Sequence, residues 1–157
     1  CNDDFAPAQF YNDSAVGYLA MDVCPGTIYT DGIAAQTQIS MSSPGTVAAG
    51  ATLFFGPSVS NTNEALARGP SLKAGTIFNM LIQDSVAPGG SETQTYTLRV
   101  IGADTAVTCT ITGAARSCLD STRIAKIATQ EQWAIKVVNS ASGATTTPQA
   151  SIQFNSP

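Results

Sequence analysis

Four cysteines, Cys1, Cys24, Cys109 and Cys118, are the side chains here with the most chemistry to offer. None belongs to a CxxC pair and the chain holds no histidine. A zinc site therefore lacks its usual ligand set, and the usual general base is missing. Disulfide formation is what remains, with four buried thiols as the alternative. Three pairings are possible, and spacing favours Cys109 with Cys118. A two-residue turn at Gly113-Ala114 sets Thr112 opposite Ala115, and counting outward brings Cys109 opposite Cys118. Such a non-hydrogen-bonded pair has Cα atoms about 4.5 Å apart, within disulfide range. Cys1 and Cys24 are then left for each other or for another chain. Bonded cysteines imply an oxidising place outside the cytosol.

The other candidate groups are sparser. Asp3-Asp4 is the only adjacent carboxylate pair, and Asp22 and Asp31 flank a turn that could take calcium. Ser71 and Lys73 sit on a loop beside Pro70 and read as ordinary surface residues. Trp133 alternates with Ile135 and Val137, which places it in a core rather than on a sugar-stacking surface. Asn12-Asp13-Ser14 fits a glycosylation sequon. No GxSxG, Walker, HExxH or EF-hand pattern occurs. The expectation is a protein with no catalytic residues, no cofactor and no metal site.

The elements that must position these groups are strands. In 95–140, Tyr96, Leu98 and Val100 alternate with Thr95, Thr97 and Arg99. Val107, Cys109 and Ile111 alternate with Thr108, Thr110 and Thr112, and Trp133, Ile135 and Val137 repeat the pattern. Period-two alternation rich in Thr, Val, Ile and aromatics marks half-buried antiparallel strands. Similar runs are expected at 15–21, 27–30, 36–41, 46–55 and 149–154, with a core strand at 76–83. A short edge strand is expected at 64–68. Asn79, within the core strand, is expected to face inward or across the sheet as a satisfied amide. The stretch 121–132 has some helical character but also fits an edge strand. The expected fold is all-β: an antiparallel jelly-roll β-sandwich of two sheets with 8–10 strands. An extended N-terminal arm, 1–14, would precede a single domain, 15–157.

Composition bounds the way of life. Charged residues make up 11% of the chain against 43% apolar, too little charge and too much hydrophobicity for disorder. A surface so thinly charged is suited to being covered by neighbours. The net charge of -4 carries no basic patch, which argues against nucleic acid. No apolar run is long enough to span a membrane. The first 67 residues hold six acids and no base, whereas the remainder holds seven bases and five acids. Solvated loops account for such an imbalance; alternatively, an acidic arm carrying Asp3, Asp4, Phe5, Phe10 and Tyr11 would suit a neighbour's more basic body. A start at Cys1 rather than Met reads as a mature form after removal of a leader, or as a lipoprotein.

Two stretches carry a resemblance. YTLRVIGADTAVTCTI resembles the strand-turn-strand hairpin of the trimeric C1q/TNF-like jelly rolls of bacterial and phage surfaces, of which the BclA-type spore-surface glycoproteins are an example. IKVVNSASGATTTPQASIQF is similar to their last two strands and connecting loop. The likeness covers about 76–154, with Ile101-Gly102 where relatives often carry Asn-Gly. It implies a self-associating surface jelly roll. Together the expectation is a structural subunit that assembles with copies of itself into an extracellular filament, appendage or surface assembly. Contacts would run through the arm and the sheet edges. The alternatives are a virion decoration or tail-fibre module, or a glycan-binding adhesin of the same fold.

Overall fold

The computed structural model describes residues 11–13, 18–20, 36–57 and 59–157. The chain divides into two units, Cys1–Ile33 and Ala34–Pro157. In the first, strand β1 (Tyr11–Asp13) pairs antiparallel with β2 (Tyr18–Ala20), Asn12 opposite Leu19. The second unit holds β3 (Gln36–Ser42), β4 (Thr52–Phe55), β5 (Ser60–Asn61), helix α1 (Glu64–Ala67), β6 (Gly69–Pro70) and β7 (Gly75–Asp84). After these come β8 (Thr93–Val100), β9 (Ala103–Thr112), β10 (Ser117–Asp120), β11 (Ala125–Ile127), β12 (Gln132–Asn139) and β13 (Pro148–Asn155).

The second unit is a β-sandwich of two antiparallel sheets. Sheet I runs β10-β7-β13-β3, with β11 pairing the other half of β7; sheet II runs β5-β4-β12-β8-β9, with β6 on the start of β12. The alternation seen in the sequence sets the inner faces. Met41, Ile77, Met80, Ile82 and Ile152 from sheet I meet Phe55, Tyr96, Leu98, Ile111, Trp133, Ile135 and Val137 from sheet II in one core. Each such side chain contributes roughly 1.5–3 kcal/mol on burial, which offsets the ordering of its backbone. Trp133 is 4% exposed and belongs to this core, as its alternation indicates.

Two local features differ from expectation. Residues 64–67 form a turn of helix instead of an edge strand, because the Asn63 side chain accepts a hydrogen bond from Ala65 N and caps it. The stretch after Gly113 does not fold back beside β9. Its φ of 61° and the hydrogen bond from Ala115 N to Thr112 O make the turn, but β10 then pairs with β7 in the opposite sheet, Cys118 opposite Ile82. The helical alternative at 121–132 is absent: β11 occupies 125–127.

Asn79 has a φ of 52° inside β7 and marks a bulge against β13, where the pairing shifts between Ser151 and Gln153. Its amide reaches across the sheet to Gln153 Oε1 at 2.6 Å. The β8–β9 connection is the two-residue turn Ile101-Gly102, with φ values of 49° and 79°. Positive φ at both positions defines a type I′ hairpin.

Candidate assembly surface

Among the candidate residues, Cys109 and Cys118 are joined in a disulfide with Cα atoms 5.8 Å apart. The pairing expected from spacing is present, but the geometry behind it is different. The bond ties β9 of sheet II to β10 of sheet I, so it clasps the two layers at one edge instead of linking hairpin neighbours. Asp120 secures the same edge from within. Buried to 5% exposure, it accepts hydrogen bonds from the backbone N–H groups of Thr108, Thr122 and Arg123. Burial opposes ionisation, yet these three donors outweigh it and hold the carboxyl below its ordinary range.

The arm residues Asp3, Asp4, Phe5 and Phe10, the cysteines Cys1 and Cys24, and the turn acids Asp22 and Asp31 lie outside the described residues. Tyr11 and Asn12 fall on β1. Ser71, expected at the surface, is instead buried: its hydroxyl donates to the carbonyl of Lys73 at 2.6 Å. No helix among the described residues is long and apolar enough to cross a membrane.

The outer faces of the two sheets differ sharply in charge. Sheet II carries ion pairs. Arg99 bonds Asp104 and lies 3.0 Å from Glu64, Lys136 lies 2.5 Å from Asp104, and Arg68 meets Glu64 at 3.2 Å. Arg99 also stands over the Phe54 ring at 5.7 Å. Threonine pairs, Thr95 with Thr110 and Thr97 with Thr108, face each other beside this network. The Lys136 ammonium and the Arg99 guanidinium hold Asp104 below its ordinary pKa.

Sheet I shows the opposite composition. The alternate positions on this face are Gln36, Gln38, Ser40 and Ser42 of β3, Gln149 and the half-buried Ser151 and Gln153 of β13, and Leu81, Gln83, Ser117 and Leu119 of β7 and β10. None is charged. Leu81 and Leu119 are direct partners across β7 and β10, 45% and 57% exposed, and form a paired apolar patch. The Gln38 amide donates to Ser151 Oγ at 2.8 Å, so part of the polar remainder is satisfied within the face. Asp84 and Asp120 on this sheet's strands are buried, Lys126 on the short β11 is exposed, and Arg116 lies just before β10, beside Gln83 and Gln149. Covering such a face desolvates few ions, which removes the largest cost of burial.

The β3 edge extends this surface. Among the described residues β3 pairs only with β13, leaving its other flank of backbone N–H and C=O groups open over Gln36–Ser42. It has no charged residue, proline or bulge, the devices that normally block edge pairing. Sequence reasoning did not find this face. Its signal, uncharged alternate positions in 36–42, 81–83, 117–119 and 149–153, becomes visible only once the strand order brings those four segments together. No protein-family model matches the chain, and no curated protein matches it.

Proposed function

We propose that this protein is a non-enzymatic structural subunit that assembles with copies of itself outside the cell, into a filament, appendage or comparable surface assembly. The observation that carries this reading is the uncharged outer face of sheet I, continuous with the β3 edge, which has no second partner among the described residues. A flat edge supplies backbone hydrogen bonds to an added strand whatever its side chains, and Leu81 and Leu119 supply apolar area beside it. The Cys109–Cys118 disulfide supports an oxidising location. The sheet orders also support a jelly-roll reading: the first and last strands of the sandwich, β3 and β13, are neighbours, and successive strands repeatedly change sheet.

The test is the mass of the purified protein in solution, by sedimentation with and without reductant, together with negative-stain electron microscopy. Defined multimers or fibres are the expected result, and a covalent ladder lost on reduction would assign Cys1 or Cys24 to contacts between chains. A monomer at every concentration would overturn the proposal.

A further inference from the structure

The two sheets treat their edges differently. Among the described strands, two of seven residues or more lie at a sheet edge, β3 in sheet I and β9 in sheet II. A long edge strand is a template for another chain unless something covers or interrupts it. From Thr108 to Thr112, β9 has no charge of its own to repel a strand.

The chain itself occupies the β9 edge. Asp120 Oδ2 accepts a hydrogen bond from Thr108 N at 2.9 Å, and the Arg123 guanidinium donates to Thr108 O at 3.1 Å. One donor and one acceptor of the same residue are thus taken, as a paired antiparallel strand would take them. The two side chains meet each other at 3.4 Å. Asp120 Oδ1 accepts from the N–H groups of Thr122 and Arg123, which fixes the turn that presents them. The Cys109–Cys118 disulfide fastens this strap to β9 at the neighbouring residue.

On either side of Thr108 the ladder is also interrupted. The register with β8 shifts between Thr97 and Arg99, so 105–107 stand opposite Leu98 alone, and Val107 N bonds the Thr105 hydroxyl. At the far end the Thr112 carbonyl accepts from Ala115 N. On β3 none of these features occurs: its register with β13 is unbroken over Gln36–Ser42.

We propose that the 118–123 strap takes the place of a neighbouring strand, closing β9 to strand addition and confining edge pairing between copies to β3. The part concerning β3 rests on the self-assembly reading; the part concerning β9 rests on the contacts to Thr108. The strap gives each sandwich one long edge for pairing in place of two, so sheets cannot add to sheets without limit.

The test uses the full-length protein. The variant Cys109→Ser/Cys118→Ser/Asp120→Asn/Arg123→Ala unfastens the strap. Hydrogen exchange is read by mass spectrometry over 103–112 and 36–42, in dilute and concentrated samples, with particle size from electron microscopy. In the variant, exchange over 103–112 should slow by about tenfold or more on concentration, and the particles should be larger than those of the wild type. In the wild type that peptide should not respond, while 36–42 should slow. Adding Thr110→Lys to the variant places a charge on the freed edge and should restore the wild-type species. That reversal separates edge pairing from clumping of a damaged fold. If the fourfold variant does not fold, Cys109→Ser/Cys118→Ser/Arg123→Ala keeps the Asp120 turn and is read in the same way.

A folded variant whose 103–112 exchange ignores concentration overturns the strap. So does association that Thr110→Lys leaves unchanged, or wild-type multimers protected at 103–112. Wild-type multimers with unchanged exchange over 36–42 overturn the part concerning β3. A wild type that stays monomeric overturns the self-assembly reading and that part with it, while the variant still decides the strap.

Discussion

The Tyr96 hydroxyl donates to Asp84 Oδ1 at 2.5 Å across the interior of the sandwich, joining sheet II to the end of β7 in sheet I. Both residues are buried, and among the described residues no cation pairs with the carboxylate. Burial raises the Asp84 pKa to about 6, against smaller opposing effects of the Tyr96 and Thr146 hydroxyls. The same burial pushes the Tyr96 phenol up, with the Asp84 carboxylate adding to it.

A pH dependence follows, with a definite sign. The folded carboxyl binds its proton more tightly than the unfolded one, whose pKa is near 3.8. The stabilisation is complete below that value and is lost as pH rises through about 6. Denaturant titrations at pH 4 and pH 7 should differ through this residue by on the order of 2 kcal/mol, with the lower pH more stable. Asp84→Asn should remove that difference. Asp120, held below its ordinary range, acts oppositely: its contribution is present at neutral pH and falls away as pH drops below the carboxylate range.

The clasp between layers sets a second expectation. The Cys109–Cys118 bond closes a short loop, nine residues by separation. Reduction, or the double variant Cys109→Ser/Cys118→Ser, should cost about 2–3 kcal/mol in thermal or denaturant unfolding. Because Asp120 holds β10 independently, the reduced protein should keep its far-ultraviolet β spectrum at room temperature.

Ile101 occupies a position for which its chemistry is poor. Its φ of 49° is disfavoured for a β-branched residue, and at 59% exposure it contributes little packing. Ile101→Asn should therefore stabilise the β8–β9 hairpin, by roughly 0.5–1 kcal/mol in chemical denaturation.

The sheet I face can be broken without touching the core. Leu81→Glu/Leu119→Glu places two carboxylates at directly opposed, exposed positions. Sedimentation should show smaller species, with the melting temperature lowered by only a few degrees. Multimers of unchanged size would remove this face from the assembly.

Much of the architecture was legible because alternation is a local property. Tyr96, Leu98, Ile135 and Val137 could be assigned inward from their spacing alone, and the structure buries them. The choice of sheet was not legible. Cys118 and Asp120 point inward whether β10 pairs with β9 or with β7, so the pattern around Gly113 could not distinguish a hairpin from a crossing. The cysteine pairing survived because both arrangements bring the two Cβ atoms together. Helix α1 escaped notice because four residues are too few to display a period, and the Asn63 cap decides their conformation. The uncharged face required positions far apart in the chain to be superimposed, which periodicity within single segments cannot do.

The pairing of β3 with β13 has a consequence for how the molecule comes into being. Gln38 and Ser151, bonded across these strands, are separated by 113 positions. β3 and β13 are the first and last strands of the sandwich, so every other strand lies between them in the chain. No fragment lacking the final eight-residue strand can close the sandwich, since β13 also supplies the link from β3 to β7. Closing the sandwich is slow for its size because distant segments must meet first. Until β13 joins it, β3 lacks the neighbour it has in the fold, and its uncharged edge is free to pair with another copy.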